Sequence, residues 1–459
     1  MSATEDSVYN LGGGDIAASR LPVAQLAECF ADAHPLLSRD EAAIEAARCY
    51  FCYDAPCIAA CPTRIDIPGF IRAITTDNLV GAGSKILEAN ILGGACARVC
   101  PTEILCEGAC VRTAQQHKPV EIGALQRVAT DAAMARAEAT GLHPFTRAPS
   151  TGKRVAILGA GPAGLACAHE LAKAGHDVSI FDAKQKPGGL NEYGIAAYKM
   201  ADDFAAREVS FIISIGGIEI IPNQALGREL DLGRLRRDYD AVFFAIGQSG
   251  VKALAIPGEA LHGVMDAVRF IESLRQSGDK SDVPVGRHVV VIGGGNTAID
   301  AAVQAKRLGA EQVSLVYRRG REDMPATFVE QDWALVNGVD FRHWAAPVAL
   351  EGQGAVQRIR FARTKLEDGR LVLGEEGYIL RADMVLKAVG QSLEIWEDEA
   401  LPAICAGRIV VNEDLQTSLP GVFAGGDCIP GQDLTVQAVA DGKRAAQSIN
   451  AYMKGELNG

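Results

Sequence analysis

The pattern of apolar and polar positions changes character along the chain. Up to residue 140 it is helical and short-ranged, with helices expected near Leu21 to Ala33, Arg39 to Arg48, Ile67 to Thr76 and Gly123 to Thr140. The run Gly141 to Gly152 (GLHPFTRAPSTG) carries two prolines and no periodicity, so it reads as a linker. From Arg154 the order becomes strand, then glycines, then helix: Arg154 to Leu158 is a short apolar strand and an alanine-rich helix follows, the opening of a parallel sheet. The same order restarts at Arg287 to Ile292. DYDAVFFAIG (Asp238 to Gly247) and ADMVLKAVG (Ala382 to Gly390) are strands ending in glycine, placed where a chain would cross between two such sheets. GVFAGGDC (Gly421 to Cys428) is a strand feeding a Gly-Asp turn, and Leu434 to Asn450 is a closing helix.

With 459 residues, 48% of them apolar, the chain can bury a large core in several domains. Its net charge of -12 argues against nucleic acid or an anionic membrane as a partner, since both require a basic footprint. The N-terminal MSATEDSVYNLGGGD has neither a basic region nor an apolar one, and no run of eighteen apolar residues occurs, so a cytoplasmic protein is expected. Its 49 glycines exceed the ~7% of average usage and announce many close backbone approaches.

Eight of the twelve cysteines fall between Cys49 and Cys110, which in a large chain points to metal or cluster ligation rather than disulfides. The first group reads Cys49-x2-Cys52-x4-Cys57-x3-Cys61-Pro62. It is similar to the ferredoxin run CxxCxxCxxxCP, in which three close cysteines clasp one four-iron cube and the fourth serves another. The second group, Cys96-x3-Cys100-Pro101-x4-Cys106-x3-Cys110, again offers several thiolates, and two groups imply two 4Fe-4S clusters. Structural zinc would favour paired CxxC elements, a spacing found only at Cys49 and Cys52. Cys29, Cys167 and Cys405 read as small apolar residues.

VAILGAGPAGL holds Gly159, Gly161 and Gly164, with Ala163 between them, after a strand and at the mouth of a helix. There small residues let the backbone approach a pyrophosphate and the helix N-terminus meets its charge. Asp182, closing VSIFDA, lies at the distance expected for a carboxylate on the adenosine ribose. Gly189 and Leu190 of PGGL supply a loop of low bulk, or an ordinary type II turn. In two-dinucleotide reductases, which this order of motifs resembles, an Asp in the position of Asp427, after Gly426, binds the ribityl hydroxyls of FAD. The helix N-terminus near Thr435 and Val436 would then face the flavin ring, its dipole favouring negative charge on it. A second unit, VVVIGGGNTAID, carries Gly293, Gly295 and Ala298 around Asn296 and Thr297 and is assigned to NAD(P)H, with Gly247 and Gly390 at the two crossings. Arg318 and Arg319 stand where an NAD site usually has a carboxylate. They can fork onto a 2′-phosphate or form a solvated charge run, and the choice of coenzyme stays open.

The expected fold class is therefore α/β: an N-terminal all-α iron-sulfur domain followed by two doubly wound dinucleotide-binding domains, the NAD(P) domain inserted in the FAD domain. The boundaries are 1–45 for a helical extension, 46–148 for the cluster domain, 149–255 and 396–459 for the two parts of the FAD domain, and 256–395 for the NAD(P) domain.

Over residues 40 to 455 the chain resembles the flavin-containing subunit of bacterial dihydropyrimidine dehydrogenase, a family similar to the glutamate synthase small subunit. The most specific stretches are RCYFCYDAPCIAACPTRIDIPGFI (Arg48 to Ile71), ILGGACARVCPTEILCEGACVR (Ile91 to Arg112) and IGALQRVATD (Ile122 to Asp131). The resemblance assigns Cys49, Cys52, Cys57 and Cys110 to one cluster and Cys61, Cys100 and Cys106 to the other, whose fourth ligand matches Gln126; spacing alone nominates Cys96. Ala196 stands where relatives usually have Pro, and Lys199 near the place of an Arg or Lys beside the flavin. The family implies electron input from NAD(P)H through FAD and the clusters to an FMN-containing catalytic subunit in a hetero-oligomer, where uracil or thymine is reduced reversibly. YRRGREDMPA (Tyr317 to Ala326) keeps a glutamate synthase small subunit as the alternative, and a non-enzymatic cluster- and nucleotide-binding scaffold is the alternative of another class.

Overall fold

The computed structural model describes residues 15–394 and 401–457; the N-terminal 1–14 and the expected boundary at 395/396 lie outside the described residues. The chain divides into two compact units, one made of His34–Glu192, Lys199–Gly250 and Ser392–Gly459, the other of Met1–Ala33, Tyr193–Tyr198 and Val251–Gln391.

The first unit begins as helices. Ser38 and Glu41 form a capping box at the start of Arg39–Ala46, the Ser38 N–H donating to Glu41 Oε2 at 2.8 Å. Asp66 caps Ile67–Thr75 by accepting from the Gly69 N–H at 3.0 Å, with Pro68 in the first turn where no donor is needed. Asn78 does the same for Leu79–Ala89 through the Gly81 N–H at 2.9 Å. That helix crosses Ile122–Thr140 so closely that a Cβ on Gly83 would stand 2.2 Å from the Ala129 carbonyl oxygen. Phe70, Ile71, Ile86 and Leu125 are fully buried at the centre, each contributing about 1.5–3 kcal/mol. Cys61 and Cys96 are buried in the same core, and Cys49, Cys57, Cys100, Cys106 and Cys110 pack at its edge.

The rest of this unit is a five-stranded parallel sheet in the order Val422–Ala424, Ala241–Phe244, Arg154–Leu158, Asp177–Phe181, Ile218–Ile221. Val155 to Leu158 are all buried, as expected for a strand covered on both faces. The helix Thr435–Met453 lies against Pro162–Lys173, and Gly442 permits it: a Cβ there would meet the Ala163 carbonyl oxygen at 2.2 Å.

The second unit repeats the plan with a parallel sheet in the order Val264–Asp266, Met384–Lys387, His288–Ile292, Gln312–Val316, Asp340–Arg342. A three-stranded antiparallel sheet, Ala345–Glu351, Arg358–Glu367 and Arg370–Arg381, is added to it. Residues expected to form one N-terminal extension divide between the units. Leu26 and Phe30 are buried with Phe270 and Leu308, and Ala17 bridges Val285, whereas Ala42 belongs to the cysteine-bearing core. Among the described residues no helix is long and apolar enough to cross a membrane.

Candidate functional site

In the helical region the seven candidate cysteine ligands fall in two places. Cys49, Cys52, Cys57 and Cys110 line a single cavity whose wall is completed by Ile71, Val120 and Arg112. Burial pushes the Cys57 thiol up to about 11, and thiolates at Cys110 and Cys49 add to it. Cys49 is likewise raised by burial, against the pull of Arg112. The Phe51 N–H points at Cys49 Sγ at 3.4 Å, with Phe51 itself at φ 52°, the sharp turn that folds the cysteine loop back on itself.

Cys61, Cys100 and Cys106 form the second place. The Cys100 thiol is held well above its usual range by a hydrogen bond with Cys96, by burial, and by the nearness of Cys106 and Cys61; burial and Glu107 raise Cys106. Gln126, buried on Ile122–Thr140, donates from Nε2 to the Gly93 carbonyl at 2.7 Å, which leaves its carbonyl oxygen unbonded among the described residues. Cys96 Sγ accepts from Asn90 Nδ2 at 3.2 Å. The helix Gly93–Val99 is tied from the sheet-bearing side by Glu208, whose Oε1 accepts from the Ala95 N–H at 2.8 Å and whose carboxyl is pushed up to about 8 by burial. Among the described residues no three His, Cys, Asp or Glu side chains close to the spacing of a single-ion site.

The first glycine loop is built by close approach. Gly159 has φ 105° and its Cβ would stand 2.4 Å from the Ala245 carbonyl oxygen; a Cβ on Gly164 would stand 2.0 Å from that of Gly159. Gly161 caps the helix, leaving its first amides unspent. The PGGL loop lies on this loop rather than forming an isolated turn: the Gly188 N–H donates to the Ala160 carbonyl at 2.9 Å, and a Cβ on Gly189 would stand 2.7 Å from Gly161 Cα, with Leu190 opening the next helix. The Gly-Asp turn joins them, since a Cβ on Gly426 would lie 3.0 Å from Ala163 Cβ. Three segments far apart in sequence thus meet at one helix N-terminus.

Asp182 occupies the expected strand end, but its carboxylate first clamps the loop, accepting from the Ala160 N–H and the Lys184 N–H, both at 2.7 Å. Sequence reasoning missed Gln248, Arg408 and Asp441. The first two donate to the Asp427 carbonyl at 3.0 and 2.7 Å, and Asp441 accepts from the Gly426 N–H at 3.1 Å. None carries a local signal, because each reaches the turn from a distant element. Thr435 starts the closing helix with its hydroxyl donating to Asn191 Oδ1 at 3.3 Å, and Val436 is buried in the same core as Cys61. Gly247 follows its strand at φ 60°, and Lys199 is buried.

Burial pushes the Asp427 carboxyl up to about 6, Asp433 adding to the rise and Arg408 opposing it. Its folded value lies above the ordinary ~3.9, so folding disfavours the ionised form: that cost is absent below about pH 4, grows up to pH 6 and is full above it. Asp427→Asn is therefore expected to stabilise the cofactor-free chain above pH 6 by up to about 3 kcal/mol and to do nothing at pH 4. Thermal unfolding at the two pH values checks this, and equal shifts at both would refute it.

In the second unit Gly293 has φ 149° and a Cβ there would stand 2.3 Å from the Ala388 carbonyl oxygen. Gly295 caps Asn296–Arg307, with Asn296 and Thr297 in its first turn and Ala298 buried behind them. The Tyr317 ring covers Gly294, and the Ala326 N–H donates to the Gly294 carbonyl at 3.0 Å, so the segment after Gln312–Val316 wraps the loop. Arg318 is exposed and Arg319 half-buried. Gly390, at φ 102°, follows the returning strand, and Ala196 is fully buried in this unit's core.

Comparisons with known proteins agree with this arrangement. Residues 153–442 match the pyridine nucleotide-disulphide oxidoreductase family and residues 26–138 the family described as dihydropyrimidine dehydrogenase domain II, 4Fe-4S cluster. The chain is 36% identical over 410 residues to the NAD-dependent dihydropyrimidine dehydrogenase subunit PreT of Salmonella typhimurium, covering 89% of this chain and 94% of that one. It is 34% identical to the glutamate synthase [NADPH] small chain of Escherichia coli, covering 93% and 94%. Among solved structures, FprA of Mycobacterium tuberculosis in complex with NADPH superposes with a TM-score of 0.56 at 22% identity, covering 68% of this chain and 87% of that one, a likeness of fold. The chain belongs to the pyridine nucleotide-disulphide oxidoreductase family, with dihydropyrimidine dehydrogenase PreT subunits and glutamate synthase small chains among its relatives, and its own match to the 4Fe-4S family lies ahead of the reductase fold.

Proposed function

We propose that the chain is the electron-input subunit of a dihydropyrimidine dehydrogenase, taking electrons from NAD(P)H and delivering them to an FMN-containing partner subunit that reduces uracil or thymine reversibly, in the cytoplasm. The observation that carries it is Gln126: its amide nitrogen is fixed on Gly93, and its free carbonyl oxygen is an oxygen donor where the dehydrogenase pattern has glutamine. Two cysteine places support two clusters, and the four thiols that share one cavity match the grouping of the ferredoxin-like run.

FAD, when bound, accepts the two electrons of a hydride and releases them singly, as iron-sulfur clusters require. The chain's own residues supply the rest. The glycine loop Gly159 to Gly164 and the unspent amides of Pro162–Lys173 offer a pyrophosphate a positive cradle, closed by the PGGL loop. Gly426 and Asp427, held by Arg408, Gln248 and Asp441, face the same helix end. The N-terminus of Thr435–Met453 reaches the cysteine core through Val436 and Leu434, so flavin side and second cysteine place share packing in one unit. A glutamate synthase small subunit remains the second reading, favoured by the unpaired Arg318 and Arg319.

The test is anaerobic purification with each candidate partner and measurement of nicotinamide oxidation driven by uracil, by thymine, or by glutamine plus 2-oxoglutarate. Turnover with uracil or thymine is expected. Turnover only with glutamine plus 2-oxoglutarate would replace this reading with the second.

A further inference from the structure

Two consecutive glycines, Gly93 and Gly94, open the short helix that leads to Cys100. Each is required on a different side. A Cβ on Gly93 would stand 2.6 Å from Ile86 Cγ2 and 3.8 Å from Gln126 Nε2, within the cysteine-bearing core. A Cβ on Gly94 would stand 2.4 Å from Phe204 Cζ and 2.9 Å from Glu208 Oε1. Phe204 and Glu208 belong to the helix Phe204–Ile213, which packs on Pro162–Lys173 of the reductase fold. The start of the short helix is therefore wedged between the second cysteine place and that fold.

This helix start has no cap of its own, since Leu92 at the cap position offers no side-chain acceptor. The acceptor comes from 113 residues away: the Ala95 N–H, the third amide of the helix, donates to Glu208 Oε1 at 2.8 Å, the bond a local capping side chain would make. Arg98 of the same helix gives its guanidinium to Asp131 at 2.8 Å and to the face of Phe204, which leaves the buried Glu208 carboxyl to the helix amides. At the other glycine, the Gly93 carbonyl accepts from Gln126 Nε2 at 2.7 Å. An amide held by its nitrogen has its oxygen fixed on the other branch of the same plane. The direction of the Gln126 oxygen thus follows from where the Gly93 carbonyl stands, and Glu208 holds the turn that carries it.

We propose that Glu208 is a positioning residue for the second cluster: by capping Gly93–Val99 from the reductase fold it fixes the Gly93 carbonyl, and through it the Gln126 oxygen. This rests on reading Gln126 as a ligand of that cluster.

The anaerobically purified holoprotein tests it. Glu208→Met keeps the length of the side chain and removes the acceptor, whereas Glu208→Gln keeps the acceptor and removes the charge. In Glu208→Met the EPR spectrum of the second cluster should change, and its iron should pass to a chelator about tenfold faster, as when an outer partner that orients a ligand is lost. Flavin content and the first cluster's spectrum should stay as in the wild type. Glu208→Gln should restore the wild-type spectrum and release rate, because burial pushes the carboxyl up to about 8 and a neutral amide imitates the acid present at pH 7. Gly94→Ala, which crowds Phe204 and leaves the carboxyl in place, should reproduce the Glu208→Met change and decides the matter if Glu208→Met loses its flavin. A wild-type spectrum and release rate in Glu208→Met, or no restoration by Glu208→Gln, would overturn the positioning role. Gln126→Ala separates the two levels: if it leaves the second cluster's spectrum unaltered, the ligand reading beneath fails. If it alters that spectrum while Glu208→Met does not, only the positioning fails.

Discussion

Cys57→Ser is expected to remove about half of the bound iron and to end electron delivery to any acceptor served through the clusters, with flavin content staying near that of the wild type. The reason lies in how the first cysteine place is made. Four thiols from Cys49, Cys52, Cys57 and Cys110 face one cavity with a largely apolar wall. With its thiol pushed up to about 11 by burial and by Cys110 and Cys49, Cys57 is protonated at neutral pH in the metal-free chain. A metal that takes the Cys57 thiolate must displace its proton, so iron uptake there should be coupled to proton release. Serine keeps the size but not the soft ligand. The glycine loops are built on distant backbone, from Gly159 to Ala245 and from Gly426 to Ala163, so loss of this metal leaves them assembled. Iron analysis, flavin absorbance and EPR of the anaerobically purified variant measure the three quantities. Unchanged iron would show that the first place holds no cluster, and zinc recovered in its stead would return the structural-ion reading.

What could be read from the chain alone follows from which interactions are local. Gly159, Gly161 and Gly164 are legible because the strand–turn–helix they punctuate is local, with Gly164 closing on the Gly159 carbonyl, whereas the approach of Gly159 to the distant Ala245 appears only in the fold. The three-stranded sheet over 345–381 was not foreseen. Its buried Ile359 and Phe361 alternate with Arg358 and Arg360, but register shifts beside Pro347 and Ala362 break the period. Residues 1–45 read as one extension because nothing local marks the change at Ala33. What separates Leu26 from Ala42 is the core that each enters. Asp182 shows a role partly legible: the strand end was placed, but the two backbone amides that its carboxylate holds depend on the folded loop. Arg408, which grips both the Asp427 carbonyl and Asp433, comes from a two-residue strand with no motif around it.

The second cysteine place yields the other large effect, because there spacing and family resemblance name different ligands. Gln126→Ala should lose the second cluster's iron, Gln126→Cys should keep it at a shifted potential, and Cys96→Ala should keep both clusters. Cys96 is already engaged: its sulfur takes the Asn90 amide hydrogen and meets the Cys100 thiol. It sits on the short helix Gly93–Val99 that Glu208 ties at Ala95, and Arg98 reinforces that tie by stacking on Phe204 and pairing with Asp131 at 2.8 Å. A sulfur fixed in that way supports packing, and its loss costs a small cavity of about 1–2 kcal/mol, not a ligand. Gln126 is the reverse case. Its amide nitrogen is spent on Gly93 and its oxygen is left for another partner. A thiolate donates more electron density and a full negative charge to iron than a neutral amide oxygen does, so the cysteine variant should poise its cluster at a lower potential. Redox titration followed by EPR reads that shift, and iron loss in Cys96→Ala with retention in Gln126→Ala would reverse the assignment.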